Sequence, residues 1–534
     1  MFGQNQSKGY SLNTDLLFNY EKKKVLGDLD IDLTAGASMY KWEDQFLSAS
    51  TRNGIIIPGI YSLNNSAERP NVSSSRFRKQ VNSLFGLASL SWDGAVFLDV
   101  TGRNDWSSSL PSSTRSFFYP SVAGSVLINE LASMPQWMDL WKVRGSWTLS
   151  KQDLGVYATN VNYNLGVGAW GDYNTANYTR NIRRDEDVSP QVSRTWEIGT
   201  AAFLLKNRLN VDVAYYNIYT YDRQISAAIP ASSGFTSILV NTEETRVQRG
   251  VEITLNAGII KKENFSWDVA LNWAKTHQYY KDLDPVYSPD NLWTKEGGRV
   301  DNYTGTAWLR DPQGNLINTD GGLPIRSDYT TLFGHSDPDF IWGFTNAITW
   351  KDFDFHLSFD GRVGGLLNNY SSYKMWDTGA HPDSDNEWRY DEVVNGNTSY
   401  VGEGVQVASG SVTYDQYGQI VEDTRTYKPN ETPTSYETYA RRYGDGTLGA
   451  TDPTFIKLRE IAIGYTLPKS VSERWGMSRA RVSLTAQNVF LWAKDFKFAD
   501  PDFNTDTELT SPSQRFVGLN INLHIAHPDN SKKR

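Results

Sequence analysis

The sequence is defined first by what it lacks. It contains no cysteine among 534 residues, which excludes a disulfide framework and a thiolate metal site. No apolar run approaches the roughly 18 residues that a transmembrane helix needs. The net charge is −9 and the isoelectric point is about 5.4, which argues against nucleic acid as a partner. The first twenty residues lack the segments of a secretory signal peptide, which leaves two interpretations: a cytosolic protein, or a piece of a longer chain.

The sequence is rich in alternation between apolar and polar residues. In the final segment Val517, Leu519, Ile521, Leu523 and Ile525 alternate with polar or small residues. A period of two is the period of a β-strand. About fifteen segments have this pattern: 10–20, 27–40, 77–91, 95–104, 117–129, 142–150, 195–205, 208–221, 247–260, 265–277, 340–350, 353–363, 455–467, 481–492 and 515–526.

The connections between these segments distinguish a soluble sandwich from a membrane barrel. Short and long connections alternate along the chain, as they do in outer-membrane barrels, which have short periplasmic turns and long extracellular loops. The mean hydropathy of −0.51 is compatible with a barrel, because only every second strand residue faces lipid. Aromatic residues near strand ends, such as Trp92, Trp141 and Trp350, indicate an interfacial belt. The predicted long loops are 41–76, 105–116, 151–194, 222–246, 278–339, 364–454 and 493–514.

The predicted fold class is all-β, an antiparallel transmembrane β-barrel. Single-chain bacterial barrels have an even number of strands, and fifteen is odd. We therefore expect residues 1–526 to be the C-terminal part of a larger barrel, whose first strands precede Met1, and residues 527–534 to be a polar tail.

Several stretches carry a resemblance to a known family, the SusC/RagA-like TonB-linked outer-membrane transporters of Bacteroidetes. The resemblance covers most strands, in the order of the family. The stretches are TGRNDWSSSLP, RSFFYPSVAGSVLINE, WKVRGSW, SRTWEIGTAAFLLKNRLNVDVAYYN, TEETRVQRGVEITLNAGIIKKENFSWDVALNWAKT, DPDFIWGFTNAITWKDFDFHLSFDGRVGG, DPTFIKLREIAIGYTLPKS and VSLTAQNVFLWAKDF.

This resemblance implies a barrel of approximately 22 strands, the size given for plugged transporters. It also implies an N-terminal plug and a TonB-contacting segment, neither of which is in this sequence. Its implied partners are a SusD-like surface lipoprotein, TonB acting through that missing region, outer-membrane lipid, and an oligosaccharide or peptide ligand. The implied location is the outer membrane.

Aromatic residues in the long loops are the predicted substrate contacts. Aromatic faces stack on sugar rings, and neighbouring Asp and Asn bind hydroxyl groups. The alternative is that these side chains pack the loops onto each other or onto a partner protein. The predicted contacts are Trp170, Tyr173, Trp293, Trp308, Trp376 and Trp388.

No cofactor is predicted, with calcium as a minor alternative. Asp500, Asp502, Asn504 and Asp506 occupy alternate positions, as at the start of a calcium loop, but the Gly and Glu that complete such a loop are missing. No histidine pair has helical zinc spacing.

The sequence favours energised nutrient import over three other functions. A TonB-dependent receptor for another ligand and a passive outer-membrane pore share the same barrel. A soluble, β-rich carbohydrate-active enzyme is the remote alternative, because no pair of carboxylates at strand ends stands out. We therefore predict that the protein is not an enzyme.

Overall fold

One sheet of fifteen antiparallel strands forms the wall of the molecule. The computed structural model describes residues 1–160, 163–170, 173–178, 182–184, 187–288, 292–447, 450–502 and 513–525. Consecutive wall strands pair with each other, so the first and the last strand form the two edges of the sheet. The strands are β1 (Gly3–Leu26), β2 (Leu29–Ile55), β3 (Ser66–Trp92), β4 (Val96–Ser107), β5 (Ser116–Leu127), β6 (Met138–Gln152), β7 (Gln191–Leu204), β8 (Leu209–Tyr221), β9 (Thr245–Lys262), β10 (Phe265–Asp282), β11 (Phe340–Trp350), β12 (Phe353–Val363), β13 (Phe455–Thr466), β14 (Met477–Ala493) and β15 (Phe516–Ile525).

All fifteen predicted strands are confirmed, but one predicted loop is wrong. Residues 41–76 were expected to form a long loop, yet β2 continues to Ile55 and β3 begins at Ser66. Apolar alternation fades in this region, which is why the sequence pattern indicates a loop. A strand that projects beyond the lipid needs no apolar row, because water surrounds both of its faces.

The strand register places apolar and polar side chains on opposite faces of the wall. Directly opposed residues of antiparallel strands point to the same face. One apolar row passes through Ile253, Trp273 and Trp342, and the adjacent polar row passes through Thr254 and Asn272. We call these two sides of the wall the apolar face and the polar face.

The apolar face is exposed and is not the inside of a sandwich. Leu84, Ile198, Leu484 and Ile521 are exposed members of its rows. The two buried hydrophobic clusters among the described residues lie elsewhere, at the rim with long loops and within them. The arrangement is that of a membrane wall with its apolar side chains turned outward.

The two rims differ in the length of their connections, as predicted. We call them the short rim and the long rim. At the short rim, Asp93 and Gly94 join β3 to β4 with φ values of 50° and 63°, the left-handed conformation that an Asp-Gly hairpin turn favours. Trp92, Trp141 and Trp350 lie on the apolar face close to the short rim, where the aromatic belt was expected. The long-rim connections are 56–65, 108–115, 153–190, 222–244, 283–339, 364–454 and 494–515.

The helices are short and lie in the connections. The α-helices are α1 (Ile128–Leu131), α2 (Tyr370–Thr378), α3 (Glu387–Asn395), α4 (Tyr436–Thr447) and α5 (Lys469–Ser472), and the 3-10 helices are Leu63–Asn65, Ala231–Ser233, Pro382–Ser384 and Glu473–Trp475. No helix in the described part of the chain has the length and apolar character to cross a membrane.

The long-rim loops also contain short strands outside the wall. They are Tyr163–Trp170, Tyr173–Tyr178, Ile182–Arg184, Arg223–Ala228, Ser237–Thr242, Asn302–Trp308, Ile317–Asn318, Arg326–His335, Leu367–Asn368, Val405–Ser409, Val412–Tyr414, Ile420–Asp423, Thr426–Pro429 and Ala450–Thr451. The predicted polar tail, 527–534, lies outside the described residues.

Candidate functional site

A cavity of about 550 Å³ opens on the polar face, between strands β9 to β13 and the segment around Pro501. The strand register builds it, because two polar rows run through it side by side. Thr254, Asn272 and Asp360 lie in one row, and Glu252 and Arg362 lie in the next. The cavity therefore presents carboxylate, amide and hydroxyl groups beside the apolar side chains of Ile341 and Phe455, the mixed lining by which ligand sites orient a bound molecule.

Arg362 fastens two long loops at the edge of this cavity. Its guanidinium donates hydrogen bonds to the carbonyl oxygen of Ser336, at 2.6 Å, and to that of Gly364, at 3.2 Å. These carbonyls lie just before β11 and just after β12. The loops 283–339 and 364–454 are consequently joined where they leave the wall.

A network of charges, fully buried only at Lys457 and Asp500, holds the segment 494–502 against the polar face. Lys457 Nζ lies 2.6 Å from Asp500 Oδ2 and 3.1 Å from Asp502 Oδ2. Arg459 donates to Asp360 at 2.7 and 2.6 Å and to Asp502 Oδ1 at 2.7 Å. Three carboxylates thus surround two cations, and Pro501 and Asp502 become part of the cavity lining.

The same network includes Asp500 and Asp502, two of the four predicted calcium contacts. Burial by itself raises the pKa of Asp502, but hydrogen bonds from Arg459 and Lys457 hold that pKa below its ordinary value. Asp502 is therefore an anion already matched by protein cations, and Asp500 is paired with Lys457. Asn504 and Asp506 lie outside the described residues, and among the described residues no group of three or more His, Asp or Glu side chains has the arrangement of a metal site. Calcium binding stays a prediction.

Two of the predicted aromatic contacts belong to a packed cluster in loop 364–454. The ring of Trp376, on α2, is 9% exposed and stacks on His381 with 4.4 Å between ring centroids. Trp388, on α3, is 49% exposed and meets Tyr400 edge to face at 5.3 Å. Tyr400 joins the cluster by packing on Tyr436 of α4. Trp376 is placed as a packing residue, whereas Trp388 presents a free face.

The other predicted aromatics are spread over separate places. Arg326 and Arg442 both lie over the ring of Trp308, at 5.9 and 5.5 Å from its centroid. Trp293 lines a different cavity of about 560 Å³. The backbones of Trp170 and Tyr173 pair with each other, and their side chains lie outside the described residues.

None of the predicted aromatic contacts that the structure describes lines the polar-face cavity. The sequence analysis therefore missed the residues that line this cavity. Glu252, Thr254, Asn272 and Asp360 were visible as the polar positions of alternating segments. A search for polar rows shared by neighbouring strands would have found them.

A family comparison decides what kind of wall this is. Residues 2–316, more than half of the chain, match the family described as TonB dependent receptor-like, beta-barrel. The chain belongs to that family. The resemblance drawn from the sequence is confirmed, and this receptor is a multi-pass β-barrel protein of the outer membrane.

Full-length relatives place the receptor within its family. It is 23% identical over 531 residues to TonB-dependent receptor P3 of Formosa agariphila, covering 93% of this chain and 49% of the relative. It is 23% identical over 399 residues to TonB-dependent receptor SusC of Bacteroides thetaiotaomicron, covering 68% of this chain and 38% of the relative. The chain therefore spans half or less of the length of these relatives.

Solved structures show the same fold. The structure of the RagAB peptide transporter superposes with a TM-score of 0.73 at 18% sequence identity, covering 98% of this chain and 56% of that chain. The predicted barrel fold is therefore confirmed, with the described strands forming a partial barrel.

Proposed function

We propose that the full-length receptor imports a nutrient ligand, an oligosaccharide or a peptide, across the outer membrane. TonB drives import through a plug in the N-terminal region, and a SusD-like lipoprotein covers the long rim. The proteins that it resembles support this proposal: SusC is a TonB-dependent receptor, and RagAB is a peptide transporter.

The observation that carries the proposal is the position of the polar-face cavity. It lies between the wall and an inward-held loop segment, with carboxylate, amide and hydroxyl groups around it. Such a lining binds a hydrophilic ligand through hydrogen bonds, whereas the exposed apolar face is turned toward lipid. In this scheme the chain supplies wall, loops and docking surface, and we assign it no catalytic step.

Whole-cell uptake tests the proposal. Cells that produce the full-length receptor are given labelled oligosaccharide and peptide mixtures, in strains with and without TonB. We expect accumulation that requires both the receptor and TonB. Accumulation that persists without TonB, together with steady conductance of the pure protein in planar bilayers, would establish the passive pore instead.

A pair of variants links uptake to the cavity. Thr254→Leu together with Asn272→Leu removes the hydroxyl and amide from the cavity lining without altering charge. Thr485→Leu together with Asn520→Leu makes the same kind of change on the polar face of β14 and β15, outside the cavity lining. We expect only the first pair to raise the ligand concentration needed for half-maximal uptake.

A further inference from the structure

The first three strands extend well beyond the thickness of a bilayer. On β3, Trp92 lies on the apolar face at the short rim, and Arg78 lies about 14 residues before it. That separation is about 46 Å along a strand and about 33 Å along the membrane normal at a tilt near 45°. The hydrocarbon core is about 30 Å thick, so Arg78 stands at the outer boundary of the lipid. Long loops of outer-membrane barrels are extracellular, so this boundary belongs to the outer leaflet.

The side chains of the apolar face change from aliphatic to basic at this height. Strand pairing sets Lys8 opposite Gln45, and Gln45 opposite Arg76. The adjacent row toward the lipid contains Arg78, directly opposite Glu43. The next row toward the lipid contains Lys41. Four cations of three neighbouring strands therefore share one face, just above the lipid-facing rows.

The charges of this group do not cancel. Arg76 Nε lies 2.6 Å and Arg78 Nε 3.0 Å from oxygens of the same carboxylate, that of buried Glu43. The single negative charge of Glu43 thus neutralises only one of the two arginines that pair with it. Lys8 and Lys41 make no ion pair within the described part of the chain. The side chain of neighbouring Asp44 points to the polar face, because it is opposite Gly9 in the alternate row.

A cavity of about 470 Å³ lies at this group. Its lining includes the cations Lys8 and Arg76, the amides of Gln6 and Gln45, and the hydroxyl of Ser74. The Gln45 amide and the Arg76 Nε already donate to Glu43, at 2.8 and 2.6 Å, and Lys8 makes no ion pair among the described residues. Ammonium, guanidinium and amide donors are the groups that bind phosphate oxygens. We call this cavity the basic cavity.

We propose that the basic cavity binds the phosphate groups of the outer-leaflet glycolipid. Its position at the lipid boundary, its outward direction and its excess positive charge all match a phosphorylated headgroup anchored in the adjacent leaflet. The neighbouring lipid-facing rows contact the acyl chains of the same molecule. A lipid held there fixes the height of the receptor in the membrane, independently of what the receptor imports.

Retained glycolipid measures this binding. The full-length receptor is purified from outer membranes in mild detergent, and the phosphorylated glycolipid per receptor is counted by mass spectrometry. The test variant combines Lys8→Gln with Arg76→Gln. The matched control combines Lys469→Gln with Arg474→Gln, which removes one exposed lysine and one exposed arginine at the short rim. Each surface cation contributes somewhat less than about a factor of ten to the affinity for anionic lipid. We therefore expect the test variant, which lacks two cations, to lose at least about tenfold in retained glycolipid. The control should lose none.

A second measurement identifies the chemical group. Each receptor is placed in phosphatidylethanolamine nanodiscs that contain either bisphosphorylated lipid A or the dephosphorylated lipid. Only the phosphorylated form should bind the unaltered receptor, and free inorganic phosphate should not displace it. Heat-modified migration on gels verifies that every variant is folded.

Two outcomes would overturn the proposal. Equal retention by the unaltered receptor, the test variant and the control would show that the basic cavity binds no headgroup. Unchanged lipid retention with loss of a co-purifying lipoprotein or of self-association would show that this face is a protein interface.

Discussion

Lys457 Nζ and Asp500 Oδ2 lie 2.6 Å apart, with only 2% and 3% of their side chains exposed. Lys457 belongs to wall strand β13 and Asp500 to the long-rim connection after β14. A full charge pair is therefore enclosed where the segment 494–502 meets the polar face. Breaking a buried pair leaves an uncompensated charge, so its partners depend strongly on each other.

Lys457→Met should destabilise the receptor by about 3–5 kcal/mol, because Asp500 is left buried without its cation. Lys494→Met removes an exposed partner of Asp452 and should have a much smaller effect. The temperature at which the purified full-length protein loses its folded gel migration measures both. Adding Asp500→Asn to Lys457→Met should recover part of the loss. No recovery would mean that Lys457 acts through packing alone.

The ion pairs that hold segment 494–502 against the polar face should weaken only at acidic pH. Asp502 has a pKa below its ordinary value, so its charge stabilises the folded state above the ordinary carboxyl pKa. That contribution is lost as the pH falls through the folded-state pKa. We expect protease resistance of this segment to be constant from neutral pH to about pH 4 and to fall below that. Asp502→Asn should remove the acid transition, and a transition near neutral pH would contradict this account.

Substitutions of Trp376 and Trp388 should have different effects, because one side chain packs the loop and the other is half exposed. Trp376→Ala opens a void among α2, α4 and His381 and should destabilise the folded loop 364–454 by about 3–5 kcal/mol. Limited proteolysis of loop 364–454 reports that loss. Trp388→Ala should leave proteolysis almost unchanged, because half of the side chain is already exposed. If Trp388 contacts ligand or lipoprotein, its variant will instead lower affinity in a binding titration.

An added charge should destabilise the protein much more at one residue of β14 than at its neighbour. Leu484 lies on the apolar face near the middle of the strand, and Thr485 lies on the polar face. Leu484→Arg should cost about 2–4 kcal/mol, the penalty for a cation near the bilayer midplane. Thr485→Arg should cost much less, because its side chain meets water. Equal penalties in a urea titration of lipid-embedded protein would contradict the assignment of the two faces.

The wall was predictable because its signal is local and repeated. A period of two is visible in each segment, and the alternation of connection lengths orders the strands without any long-range information. The extension of β2 to Ile55 was missed because water on both faces removes the alternation. The residues of the polar-face cavity were present in the pattern but had no individual signal.

The charge network was beyond the reach of local patterns. Lys457 and Asp500 are 43 residues apart in sequence, and only the inward path of the connection brings them together. The loop aromatics illustrate the same limit. Trp376 and Trp388 look equivalent in the sequence, and tertiary packing makes one a core residue and the other a surface residue.

The bonds of Arg362 to Ser336 and Gly364 have a counterpart at Asn369, whose amide donates to the Lys497 carbonyl at 3.1 Å. Three successive loops are thereby tied together at their roots, and loops 283–339 and 364–454 pair again farther out, where Ile317 and Asn318 lie beside Val405 and Gln406. Displacing one of them at its base would pull on the other two, so these loops are built to swing as a unit.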